Sequence, residues 1–129
     1  MKQLRRIGAT AAVVMLGAAA PVIAHHSHAM FDHSKAVAVT GTVKELLFRN
    51  PHVYLYVNAK NDRGEAVTYW IEMSNIQNMI KQGINQNTLK PGDVVTVHMF
   101  PLRDGRPGGN YETLSTADGR NFGREPDNR

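Results

Sequence analysis

Two stretches of strict alternation joined by a polar loop constrain this chain more than any other feature. Across residues 52–59, Val53, Leu55 and Val57 alternate with His52, Tyr54 and Tyr56. Asn61-Asp62-Arg63-Gly64 then makes a hairpin loop, and residues 67–73 place Val67, Tyr69 and Ile71 on one face and Thr68, Trp70 and Glu72 on the other. A period of two with one apolar face reads as a half-buried β-hairpin. Antiparallel pairing brings His52 and Tyr54 close to Trp70 and Glu72, to within one pair of register.

The neighbouring segments extend the same pattern. Val37, Val39 and Val43 share a face with Gly41, whereas Leu46 and Phe48 fall on the opposite parity. A β-bulge or bend near Lys44-Glu45 restores the facing, and Gly41 lets the strand curl. Asn50-Pro51 breaks the chain before the hairpin. After it, Ser74 and Gln77 make a capping-box pattern, and Ile76, Met79 and Ile80 form one stripe ended by Gly83, so a short helix is expected. Lys90-Pro91-Gly92-Asp93 is a turn before a strand at 94–100. Asp104-Gly105 and Pro107-Gly108-Gly109 form a loop before a last strand near 111–116. Three strands, a helix and two strands are the element order of a five-stranded OB-type barrel, so the expected class is all-β with one short helix. Another small barrel or a sandwich is the structural rival.

Ahead of this domain the chain has the layout of an export signal. Lys2, Arg5 and Arg6 precede an apolar run over residues 7–20 and then small residues. Ala18-Ala19-Ala20 and Val22-Ile23-Ala24 both suit a signal peptidase; Pro21 disfavours the first, so cleavage after Ala24 is expected. The run is short and rich in Ala and Gly for a membrane span, which takes about 20 strongly apolar residues. The expected division is a signal peptide at 1–24, a His-rich arm at 25–35, the barrel at 36–117 and a flexible tail at 118–129. The expected location is the periplasm or outside the cell.

Cleavage also changes the electrostatic argument. The formal charge of +4 falls to +1 once Lys2, Arg5 and Arg6 are gone, since residues 1–24 hold no acid. The basic pI is then no sign of nucleic-acid binding, and nucleic acid is not an expected partner. The chain has no cysteine. Disulfides, thiolate metal sites, iron-sulfur clusters and blue-copper centres are therefore excluded.

The pieces His25-His26-Ser27, Met30-Phe31-Asp32, Thr40-Gly41-Thr42-Val43, Asn50-Pro51-His52, Leu89-Lys90-Pro91-Gly92-Asp93 and Pro101-Leu102-Arg103-Asp104-Gly105 resemble a known family. It is a group of small exported proteobacterial proteins of unknown function, and the resemblance spans nearly the whole mature chain. It implies no activity and no site residues. His28 departs from the family pattern, where an aromatic such as Phe is expected, so a site including His28 is particular to this protein.

Two sites follow from the residues. The first is a metal site at the new N-terminus. His25 would offer an α-amine and an imidazole on one residue, with His26, His28, His33 or a folded-back His52 completing the nitrogen set. Nitrogen donors without thiolate favour Cu(II), then Ni(II) or Zn(II). The competing reading of this tract is a solvated arm. The second site is the outer face carrying Tyr54, Tyr56 and Trp70 with His52 and Glu72, which would bind a protein, a glycan or another small ligand. Its competing reading is that the arm through Phe31, a helix or a second copy covers the rings. His98 is expected to be structural or exposed. No nucleophile elbow, paired catalytic carboxylates or phosphate loop is present, and the expectation is a binding protein rather than an enzyme.

Overall fold

A computed structural model describes residues 29–123 of the protein. Among the described residues the elements follow in the order β1 (Val37–Leu47), β2 (Tyr54–Lys60), β3 (Ala66–Glu72), α1 (Ile76–Lys81), β4 (Val94–Pro101), β5 (Gly108–Thr116) and β6 (Asn121–Gly123). Their order in the sheet is β3-β2-β1-β4-β5-β6, and a further pairing of β3 with β5 closes the first five into a barrel. The expected OB-type, β-rich architecture with one short helix is the observed one.

Barrel closure rests on the length and bend of β1. Its first half pairs with β4, from Val37↔Met99 to Thr42↔Val94, and its second half pairs with β2, from Thr42↔Asn58 to Leu47↔Tyr54. The register slips between Val43 and Glu45. Lys44 is thus the extra residue that turns the strand from one neighbour to the other, at the place where the apolar phase changes in the sequence. Gly41 sits where a side chain would collide with the Asn58 carbonyl. Val37, expected on the core face, is exposed at the start of β1.

The β2–β3 hairpin pairs in register from Tyr54↔Glu72 to Lys60↔Ala66. Val53, Leu55, Val57 and Ile71 are fully buried, as their alternation requires, and are joined in one core by Val43, Val95, Val97, Met99 and Leu114. Met79 of α1, with Ile84 and Leu89 beyond it, completes this core.

The helix departs from expectation in two details. Its N-cap is Asn75, whose Oδ1 accepts a hydrogen bond from Asn78 N at 2.9 Å, while Ser74 Oγ accepts from the Asn78 side chain instead. Ile80, expected in the apolar stripe, is exposed, because Met79 and Ile84 already occupy the core beneath this one-and-a-half-turn helix. Asn50 ties the helix to the preceding turn: its Oδ1 accepts from Ile76 N at 3.0 Å, beside a cis Asn50–Pro51 bond.

Both ends of the domain run further than the alternation suggested. Residues 121–123 pair with β5, from Thr113↔Gly123 to Ser115↔Asn121. At the other end, Phe31 is buried and forms an antiparallel bridge with Leu102.

Candidate functional site

The segment leading into β1 is fastened along the end of β4. Asp32 N donates to Pro101 O at 2.8 Å, Arg103 N donates to Met30 O at 2.9 Å, and Arg103 Nε donates to Ala29 O at 3.1 Å. Asp32 also closes the following turn by accepting from Ser34 Oγ at 2.6 Å and from Ser34 N at 3.1 Å. These two bonds, with smaller help from Lys35 and Arg103, hold its carboxyl below the usual carboxylate range.

This docking sets Phe31 into a run of rings. Phe31 lies near-parallel to Trp70 at 6.3 Å between centroids, and Tyr54 lies near-parallel to the same indole at 5.4 Å. Arg49 stands over Tyr54 at 5.8 Å, and His52 meets Tyr54 edge-on at 6.4 Å. Beyond Phe31, His33 is exposed and packs on Phe100 at 4.8 Å. Burial raises the Tyr54 phenol above its ordinary value, and the nearby Glu72 charge adds to that.

Beside these rings is a pocket of about 420 Å³, lined by Phe31, His52, Glu72, Met73, Ser74, Gln82, Phe100, Asn110, Tyr111 and Glu112. Glu72 lies deep, with only 7% of its side chain exposed, and its Oε1 is 3.6 Å from His52 Nε2. That separation suits an ion pair when the imidazole is protonated but is longer than a good hydrogen bond. His52 itself is 37% exposed and stands at the rim. Across the pocket, Asn110 Nδ2 donates to Glu72 O at 3.3 Å and Tyr111 Oη donates to Gln82 Oε1 at 3.1 Å. Burial pushes the Tyr111 phenol far above its ordinary value.

The residues singled out in the sequence divide into three groups. His52, Tyr54, Tyr56, Trp70 and Glu72 are brought together by the β2–β3 register, with Tyr54 opposite Glu72 and Tyr56 opposite Trp70. The Trp70 indole packs on Phe31 of the arm and on Tyr54, the arrangement of the competing reading in which the arm covers the rings. His33 stands on the arm side of the pocket against Phe100, and His98 is exposed on β4. His25, His26 and His28 lie outside the described residues. Among the described residues, no group of three or more His, Asp or Glu side chains converges closely enough to hold a metal ion.

Phe100, Asn110 and Glu112 line the pocket without having been singled out. Asn110 and Glu112 do alternate about Tyr111, which marks them as sharing one face of a strand. Their place beside Glu72 comes from the parallel β3–β5 pairing, Glu72↔Asn110, between residues far apart in sequence.

Fold and pocket together define a small closed OB-type barrel with an aromatic, carboxylate-bearing cleft under its N-terminal segment. The chain belongs to DUF6152, a family of unknown function, whose model matches residues 12–111. No curated protein matches the sequence. Among solved structures, the chain is similar to the S. cerevisiae mitochondrial single-stranded DNA-binding protein Rim1, with 12% identity and a TM-score of 0.47 over 67% of this chain and 97% of that one. The exclusion of nucleic acid as a partner does not stand, because a near-neutral net charge does not say where on a surface charge is gathered. At that identity the likeness assigns no ligand here. Among the described residues, no helix is long and apolar enough to cross a membrane.

Proposed function

We propose that the protein is exported and binds one transition-metal ion, copper first, through nitrogen donors of its N-terminal arm, with His52 as the donor from the barrel. The observation that carries this reading is the fastening of residues 29–32 to Pro101 and Arg103. It anchors the residue bonded to His28 on the domain that also carries His33 and His52. A free arm would have to surrender conformational freedom to form a chelate; an arm anchored one residue away surrenders less.

His52 has the surroundings of a ligand. A metal-bound histidine usually presents its second ring nitrogen to a carboxylate, which fixes ring orientation and raises basicity. Glu72 Oε1 stands 3.6 Å from Nε2, so a shift of about half an ångström would complete that hydrogen bond and leave Nδ1 for a metal. Cleavage after Ala24 would add the α-amine and imidazole of His25, and neutral nitrogen donors in the absence of thiolate favour Cu(II) over Ni(II) and Zn(II).

The test is the intact mass of the exported protein with and without added copper, followed by a competition titration. One copper per chain starting at His25 is expected, with affinity falling by about tenfold or more when one residue is added before His25. A chain that starts elsewhere, or an affinity indifferent to the added residue, overturns the reading.

A further inference from the structure

Over residues 37–41, β1 has one edge on β4 and the other open. We propose that two copies of this chain pair along the open edge, strand against antiparallel strand, about a two-fold axis at Val39. This goes beyond the metal reading and uses none of its donors.

Hydrogen-bond alternation identifies the open edge. Val43 N donates to Asp93 O at 2.8 Å on the β4 side, continuing the register that sets Thr42 opposite Val94. Backbone groups of an antiparallel strand alternate between its edges, so Val37, Val39 and Gly41 also bond toward β4, while Ala38, Thr40 and Thr42 direct theirs the other way. Thr42 meets Asn58 there, where the pairing of β1 with β2 begins. Among the described residues, no strand pairs with Ala38 or Thr40 on that side. There is room for one: cavities of about 690 and 550 Å³ both reach Thr40, between this stretch and the end of the β2–β3 hairpin.

Such an edge is normally guarded. Soluble proteins block exposed strand edges with lysine, proline or a bulge. Residues 36–43 contain no charged residue and no proline, and the bulge at Lys44 lies beyond the open stretch. Val37 is 36% exposed although it has the parity of the core.

These residues suit a self-pair. A register centred on Val39 uses the whole open stretch in both copies, with Ala38 and Thr40 exchanging backbone hydrogen bonds with Thr40 and Ala38 of the second copy. Val37 then lies across from Gly41 of the second copy, where no side chain competes for space, and beside its Val39. The exposed apolar surface of Val37 is covered. A two-fold pair puts both copies of any edge charge on one seam, so a self-pairing edge is best neutral, as this one is. The hairpin end bordering it balances Lys60 and Arg63 with Asp62 and Glu65, and so does not repel its own copy by net charge.

Sedimentation velocity on the protein as the cell produces it, held in a chelator, tests the proposal without reference to metal. A reversible dimer is expected, with Kd below about 100 μM. Ala38→Pro removes a donor from the open edge without touching the β4 ladder, and Val37→Lys puts an ammonium group over the seam in each copy. Each is expected to weaken the dimer by about tenfold or more. Gln77→Lys adds the same charge on α1 and is expected to leave the dimer unchanged. Amide exchange on the unaltered protein needs no variant: Ala38 and Thr40 are expected to be protected in the dimer and to lose protection on dilution. Weaker association than this, a dimer indifferent to both edge variants, or protection that does not change with concentration overturns the proposal. Protection in a monomer also overturns it, and assigns the edge to a segment of the same chain.

Discussion

Phe31, six residues before the first strand, lies near-parallel to Trp70 of β3 at 6.3 Å between ring centroids and is 1% exposed. A residue outside the regular sheet is thus as deeply buried as the barrel core. Its ring forms one wall of the pocket, so arm docking and pocket shape are a single structural event.

Phe31→Ala is expected to cost about 3 kcal/mol, the low end for a buried phenylalanine because the arm can partly withdraw. Trp70 is the only tryptophan. Its emission is therefore expected to shift to the red in the folded variant, measured alongside chemical denaturation. Unchanged emission with full loss of stability would point to damage elsewhere in the fold.

Gly108 closes the barrel. It pairs with Trp70 at φ +155°, and a side chain there would run into the Trp70 carbonyl. Gly108→Val is expected to open the β3–β5 seam, with a loss of more than about 3 kcal/mol from steric overlap and backbone strain together. Amide hydrogen exchange should rise first at Trp70 N, which donates to Pro107 O in the native seam. Gly64→Ala offers a comparison, since nothing lies within 4 Å of a side chain there although its φ of +74° carries strain.

Alkaline pH is expected to destabilise the protein through Tyr111 and Tyr54. Both phenols titrate above their ordinary value of 10.0 when folded, chiefly because burial disfavours the charged form. A raised folded value means this contribution is complete below pH 10 and is lost as pH rises from there toward the folded values. Tyr111→Phe should flatten part of that decline, at a cost of about 1 kcal/mol near neutral pH for the lost bond to Gln82. Thermal melting across pH 8 to about 11, where phenols titrate, measures both.

His52 and His98 give a matched pair for copper. His52 is at the pocket rim beside Glu72, and His98 is exposed on β4. His52→Gln is expected to reduce copper affinity by about tenfold, and His98→Gln to leave it unchanged. Equal effects from both variants would indicate adventitious surface binding.

How much of this was legible in the chain differs by element. The β2–β3 hairpin was readable to within one pair of register, because alternation records which side chains face the core. The bend in β1 was readable too, since the apolar phase changes at Lys44, where the register slips. The N-cap was misplaced by one residue: Ser74 and Asn75 are both good caps, and Asn75 prevails by reaching Asn78 N. The short β6 was missed because three residues rich in Gly and Asn neighbours carry no period; they pair only because β5 offers a free edge.

The candidate site divides the same way. His52, Tyr54, Trp70 and Glu72 were grouped correctly because they belong to one hairpin, whose geometry is local. Glu112, Asn110 and Phe100 were not, because strands distant in sequence bring them there. The sequence by itself determined the five barrel strands, the bulge and the outer face of the hairpin, since backbone periodicity and burial leave their mark residue by residue. Only the tertiary structure decided that β3 meets β5 in parallel, that Phe31 folds back onto Trp70, and that a carboxylate-lined pocket lies between them. Those are long-range contacts, and the sterics and ring packing that select them act between residues with no local pattern in common.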